Sequence, residues 1–251
     1  MAGHSKWANI KHKKGAADQK RGKIFSRITK EIYIAVKNGG GGDTEQNATL
    51  RAAVIAARAA NMPSSNVDRA IKKALGDSDT STFEEIAYEG YGPEGVAILV
   101  ETLTDNRNRT SGEIRYAFDR NCGNMAASGA VTWMFHRKSH FVITGEHADE
   151  DALLEIVIDA GAESIDVSDD IAEIWGAPDC FENISKALEN AGITPEEANL
   201  ARDPETSVEI NDLKTALKIL RLIDKLEDLD DAQAVYANFD LTDEVMEQLD
   251  L

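Results

Sequence analysis

Apolar residues recur along this chain at two periods, and the change falls near residue 83. Between Ala16 and Lys37, Ile24, Phe25, Ile28, Ile32 and Val36 keep helical spacing, and the run NGGGGD at 38–43 ends the segment. Consecutive glycines carry too much backbone freedom to continue a helix. A second helix is predicted over 47–61, with Leu50, Val54 and Ala57 inward and Pro63 stopping it. A third begins at Ser64 or Ser65, where Ser65 and Asp68 resemble a capping box, and turns Val67, Ile71 and Leu75 inward. Three short helices make a small bundle.

Past the linker-like tract GDSDTST at 76–82 the pattern switches to alternating strands and helices. Strands are predicted near 84–91 and 95–103, a helix near 108–121 and a strand near 131–136. Residues 139–144, 149–160, 164–168, 171–176, 179–190 and 197–203 then spell β-α-β-β-α-β, the order of a ferredoxin-like fold. A strand near 206–210, a helix over 211–226 with Leu213, Leu217, Leu220 and Ile223 inward, and a strand near 232–239 join the 95–136 piece as a second such unit. The chain is therefore expected to be α+β: an N-terminal three-helix domain followed by two ferredoxin-like α/β domains, the third inserted into the second. The expected boundaries are 1–76 for the basic arm and bundle, 83–136 plus 205–240 for the split middle domain, and 137–204 for the insert.

Charge sharpens this division. The net charge is −18, yet up to Leu75 there are fifteen bases against five acids (Asp18, Glu31, Asp43, Glu45 and Asp68), and the remainder holds the other twelve bases and forty acids. Concentrated cation on an acidic molecule costs self-repulsion and suits a polyanion, while the acidic remainder suppresses indiscriminate sticking. On the first helix Lys20, Lys23, Arg27, Lys30 and Lys37 step along one stripe opposite the apolar one. The residues expected to meet nucleic acid are Lys6, Trp7, Lys11, His12, Lys13, Lys14, Lys20, Arg21, Lys23, Arg27 and Lys30, with Arg51, Arg58, Arg69, Lys72 and Lys73 on the later helices. Lysine is a flexible point charge that meets phosphate without demanding base geometry. Trp7 either stacks on an unpaired base or anchors the arm to the bundle. The arm from Ala2 to about Lys14 has little apolar surface to offset ordering entropy and is expected to be mobile without its ligand.

Other chemistries find little support. Cys122 and Cys180 lack metal-ligand or disulfide-framework spacing, His4 and His12 have no cysteine neighbour, and His136 and His140 flank an expected hairpin turn. The acids after Gly76 lack the glycine and final glutamate of a calcium loop, and YEGYGPEG at 88–95 reads as a hairpin connection, not a phosphate loop. Trp133 and Trp175 are expected in the core. Arg107 and Arg109 sit near a helix start capped by Thr110 or Ser111, where a second phosphate contact and plain turn chemistry both fit. No nucleophile elbow, H-E-x-x-H or Walker motif occurs, so no catalytic residue, metal or cofactor is expected. No apolar run approaches the roughly twenty residues that span a bilayer.

AGHSKWANIKHKKGAADQKRGKIF at 2–25, NMP at 61–63, RAIKKA at 69–74, EGYGPEGVAILVETLTDNRNRT at 89–110 and the segment Gly129–Phe135 together resemble the YebC/PmpR family over nearly the whole chain. The resemblance implies a cytoplasmic, three-domain protein with a helical first domain and two α/β domains. Members are usually described as transcriptional regulators that bind DNA. Related proteins, including a mitochondrial translational activator of cytochrome oxidase synthesis, are tied instead to the ribosome. The motif begins at Ala2, which favours a bacterial cytoplasmic member. Ser64 and Ser65 replace the Lys-Asp common after the NMP turn, and GNMAASG at 123–129 replaces a more glycine-rich form. The expected function is a non-enzymatic, DNA-binding transcriptional regulator working through its basic N-terminal domain. A translation factor on ribosomal or transfer RNA and a protein-interaction scaffold stay open beside it. A monomer is expected, with no membrane partner and the acidic domains free to recruit protein.

Overall fold

The computed structural model describes residues 17–76, 83–168 and 170–249, with side chains from Gly22 onward. The arm through Lys14 and the linker at 77–82 lie outside the described residues, as do the expectations placed on them. In chain order, helices α1 (Ala17–Asn38), α2 (Ala48–Ala59) and α3 (Ser64–Gly76) precede strands β1 (Glu84–Tyr91) and β2 (Ala97–Thr104), helix α4 (Arg107–Arg120) and strand β3 (Asn124–Met125). There follow β4 (Phe135–Thr144), α5 (Glu150–Val157), β5 (Ala162–Ser168), β6 (Ile171–Gly176), α6 (Phe181–Asn190) and β7 (Glu197–Pro204). Then come β8 (Val208–Ile210), α7 (Leu213–Glu227), β9 (Ala232–Ala237), β10 (Phe239–Leu241) and α8 (Asp243–Gln248). The chain divides into two compact units: the described part of Lys11–Asp79 with Arg137–Ala201, and the described part of Thr80–His136 with Arg202–Leu251.

In the first unit Asn47 joins the helices. Its amide donates to Ala35 O at 2.7 Å and Gly41 O at 2.9 Å, and its carbonyl oxygen accepts Leu50 N at 3.0 Å. One buried side chain thus closes the end of α1, fixes the glycine loop and caps α2. Gly39 must be glycine here, since a Cβ would lie 2.4 Å from the Asn47 oxygen. Helix α3 buries Val67, Ala70 and Ala74, whereas Leu75, expected inward, is 59% exposed. The face has rotated because Ile71 and Leu75 pass over Gly42, where a Cβ would come within 2.9 and 2.8 Å of them. Ile24 also leaves the expected core, at 42% exposure.

Helix α2, ATLRAAVIAARA, carries apolar residues on two opposite sides and packs on both. Leu50, Ala53 and Ala57 are buried, while Ala52, Ile55 and Ala59 join the core of residues 141–198 built from Phe141, Ile143, Leu153, Ile174 and Ile184. Asn61, at φ 55°, ends the helix, with Met62 N donating to Ala57 O at 2.8 Å. Strands β4 to β7 form a sheet ordered β5-β6-β4-β7, the pairing of a ferredoxin-like unit.

The second unit carries a sheet ordered β3-β1-β2-β9, antiparallel throughout, with α4 and α7 over one face. Its pairing departs from a second β-α-β-β-α-β unit. The β1–β2 hairpin is part of the sheet, and β8 pairs in parallel with β10 apart from it. The strand expected over 232–239 is broken at Asn238, whose side chain accepts Ala97 N at 2.7 Å and donates to Thr206 O at 3.1 Å. Helix α8 was not anticipated. On α7, Leu217 was expected inward but is 51% exposed; Ala216, Ile219, Leu220, Leu222, Ile223 and Leu226 fill the core.

The strand expected over 131–136 is a tight turn at Thr132–Met134, and β4 runs unbroken from Phe135 to Thr144, with no hairpin turn between His136 and His140. The cause is Glu89, 3% exposed, whose carboxylate accepts Gly129 N at 2.6 Å, Val131 N at 2.6 Å and Thr132 N at 2.9 Å. Those N–H groups are then absent from any ladder. Trp133 consequently sits on the turn, 63% exposed instead of in the core, with its indole donating to Ala130 O at 3.1 Å.

Two outcomes follow. Asn47→Ala removes the cap of α2 and the side-chain donor to Ala35 O and Gly41 O, so it should lower stability by about 1–3 kcal/mol, read as a lower urea midpoint with an unchanged slope. Burial pushes the Glu89 carboxyl up, but the N–H groups of Val131, Gly129 and Thr132 outweigh it and hold it below its ordinary 4.5. Its folded value is lower than its unfolded one, so its contribution is complete above the unfolded value and is lost as pH falls through the folded one. Glu89→Gln should therefore lower the urea midpoint at pH 7 and shrink its fall on acidification below about pH 4.5.

Candidate nucleic-acid interface

Helix α1 turns three surfaces to its surroundings. One is core: Ile28 and Ile32 are buried, and Tyr33 to Val36 are enclosed throughout. The second, Gly22, Phe25, Ser26 and Thr29, faces Met62, Asn66, Arg69, Ala70 and Lys73 across a groove of about 320 Å³. Phe25, Met62 and Ala70 give it an apolar floor, and Arg69 and Lys73 a basic rim. The third carries Lys23, exposed, and Arg27 and Lys30, half-buried, on the flank beside Ser26. Lys37 continues toward the end of the helix, its ammonium 5.6 Å from the centroid of the Tyr33 ring. Lys20 and Arg21 belong to the first turns of α1, while Lys6, Trp7, Lys11, His12, Lys13 and Lys14 lie outside the described residues.

The remaining bases divide. Arg58 on α2 and Arg69, Lys72 and Lys73 on α3 are exposed. Arg51 is engaged elsewhere: its guanidinium holds Glu182 of α6 at 2.9 Å and donates to the carbonyls of Thr44 and Glu45. Beside it Lys186 bonds Glu182 at 2.6 Å; these two cations, Lys186 foremost, hold the Glu182 carboxyl below its usual value. Arg51 therefore clamps α2 to the inserted sheet unit, and the groups that would meet a phosphate are already occupied.

In the second unit Asn106, not Thr110 or Ser111, caps α4, accepting Arg109 N at 3.1 Å. The Thr110 hydroxyl instead points inward to buried Asp231 at 2.8 Å, joined there by Thr104 at 3.1 Å and the Arg109 guanidinium at 2.6 Å. Arg109 also bonds Asp105 at 3.0 Å, so its head is a structural tie. Arg107 lines an open cavity of about 750 Å³ with Glu84, Glu85, Tyr88, Glu89 and Ser111, a lining more anionic than cationic. In the first unit His140 stacks on Trp175 with centroids 4.0 Å apart, its Nε2 3.4 Å from buried Glu173. Among the described residues no group of His, Cys, Asp or Glu could hold a metal ion, both cysteines are free, and no helix is long and apolar enough to cross a membrane. Asp231, which the acidic run at 227–231 reads as solvated surface along with Asp230, Asp243 and Glu244, is instead buried at 4% exposure, because Thr104, Thr110 and Arg109 converge on its carboxylate. Glu89 is the one acid between Ile86 and Tyr91.

Comparison with known proteins matches residues 5–77 to the TACO1/YebC protein N-terminal domain and residues 83–239 to the TACO1/YebC second and third domain. A protein of Syntrophobacter fumaroxidans described as "Probable transcriptional regulatory protein" is 48% identical over 249 residues, covering 99% of this chain and 100% of the relative. One of Fusobacterium nucleatum with the same description is 48% identical over 250 residues, covering all of both chains. The crystal structure of a conserved hypothetical protein from Aquifex aeolicus superposes with a TM-score of 0.82 at 41% identity, covering 90% of this chain and 93% of that one. It shares the helical N-terminus and antiparallel sheets, as the α+β expectation required. With both family models matched in sequence order, the chain belongs to the TACO1/YebC family.

Proposed function

We propose that this chain is a non-enzymatic, DNA-binding regulator of transcription whose helical bundle grips the phosphate backbone. One observation carries the reading: Lys23, Arg27 and Lys30 of α1 lie on the same small bundle as Arg69, Lys72 and Lys73 of α3, on a molecule of net charge −18. Lys23 to Lys30 spans about 10 Å of helix, enough to reach adjacent phosphates of one strand. The transcriptional role attributed to the relatives agrees with such a surface. Arg51 is left out of the contact set because Glu182 holds it.

A second reading is favoured by the groove. Phe25 and Met62 on its floor, with Ser26, Thr29 and Asn66 at its walls, suit an unstacked base, which a duplex does not present and single-stranded or looped RNA does. That is the surface an RNA-bound translation factor would use.

Changing Lys23, Arg27 and Lys30 together to Gln should weaken binding to a mixed-sequence DNA duplex and flatten log affinity against log salt by about two to three units. The fold should persist because Ile28 and Ile32 occupy the opposite face. An unchanged slope in a folded variant removes α1 from the binding surface. Phe25→Ala separates the two readings: a base in the groove predicts an affinity loss of about 5- to 150-fold for single-stranded RNA with duplex binding intact, whereas backbone gripping alone predicts equal, small effects on both.

A further inference from the structure

Of the twelve bases beyond Leu75, eight lie on two helices: Arg107, Arg109, Arg115 and Arg120 on α4, and Lys214, Lys218, Arg221 and Lys225 on α7. These helices pack over the same face of the second unit's sheet. Arg109 is tied inward to Asp231 and Arg107 faces the acidic cavity, but the other bases of α4 and α7 are exposed. On α7 the steps of four, three and four residues put all four bases within a sector of about 60° at 3.6 residues per turn. That sector lies opposite Ala216, Ile219, Leu220 and Ile223, and between its bases Leu217 is 51% exposed.

A helix face tuned only for solubility alternates sign, because like charges four apart cost stability and opposite ones add it. Here Lys214–Lys218 and Arg221–Lys225 are like-charge pairs at four residues, and Lys218–Arg221 is one at three. At the end of the stripe Lys225 pairs with Asp228 at 3.5 Å. From Lys214 to Lys225 the stripe is about 16 Å long, enough for its bases to meet successive phosphates of one strand. Exposed Tyr116, with Arg120 5.4 Å over its ring, adds a stacking surface on α4. A protein partner is less well served, since Leu217 and Tyr116 are the only large apolar side chains exposed on α4 and α7, far short of an interface core.

We propose that the outer face of α7, carrying Lys214, Lys218, Arg221 and Lys225, is a second phosphate-backbone contact of the protein. This deepens the nucleic-acid reading and is separable from it. The full chain is compared with three variants: Lys214, Lys218, Arg221 and Lys225 all changed to Gln; Lys23, Arg27 and Lys30 all changed to Gln; and both sets combined. Each is titrated with a mixed-sequence DNA duplex and a mixed-sequence RNA strand over a range of salt, and circular dichroism confirms the fold. Glutamine preserves helix propensity and the buried face of α7 is untouched.

The α7 variant alone should flatten the salt slope by about two to four units on at least one probe, and the combined variant should lose the sum of both effects. A folded α7 variant with wild-type slopes on both probes overturns the second contact, whatever the α1 variant does. Should the α1 variant bind normally while the α7 variant is weakened, the second contact stands and the bundle reading falls. A graded check is Lys218→Glu with Arg221→Glu, which should weaken binding further than Gln at the same two sites; equal effects would mean that charge is not what α7 contributes.

Discussion

The basic helix is positioned by one buried amide. Asn47 reaches Ala35 O near the end of α1 and Gly41 O in the glycine loop with one end of its side chain, and the first turn of α2 with the other. The orientation of α1, and hence which flank carries Lys23, Arg27 and Lys30, rests on those three bonds. Two carboxylates do comparable work in the second unit. Glu89 gathers the backbone of 129–132 over the sheet, and Asp231 gathers Thr104, Thr110 and Arg109 at the start of α4. In each case a buried polar side chain satisfies groups that regular secondary structure leaves over, since a buried group without a partner costs more than a formed bond returns.

Helix α2 gives the bundle a second attachment. Its alanine-rich sequence packs on opposite sides, and Arg51 reaches Glu182 where the second side meets α6. The helices that carry the cationic groove are thereby bound to the ferredoxin-like sheet unit within one compact body. A base of the basic third has become a structural tie, which shows that charge sorting along the chain does not assign each cation to a ligand.

Segregated charge has a physical consequence beyond any one contact. Exposed charges are screened over about 8 Å at physiological salt, so a polyanion senses local faces and not the net −18. On the proposed reading the faces of α1, α3 and α7 would attract it, while the acidic surface elsewhere would oppose adsorption in other orientations. In such binding, orientation follows where cations cluster, and affinity how many phosphates each cluster meets.

Helical periodicity, the glycine run and the proline after Met62 determined α1 to α3 to within a few residues, because helix signals are local and repeat every turn. The β-α-β-β-α-β order of the insert was legible for the same reason, as was the cationic stripe of α1. Tertiary structure alone decided the rest. The turn at Thr132–Met134 follows from a carboxylate forty residues upstream in sequence, and the exposure of Trp133 follows from that turn. Whether Leu217 or Ala216 points inward depends on how α7 rolls on its sheet, and both stripes are apolar enough in sequence to serve. Arg51 and Arg27 look alike in sequence, each a base on an amphipathic helix. The arrival of Glu182 from α6 is what makes Arg51 a clamp, because an ion pair between residues far apart in sequence exists only once the chain has folded.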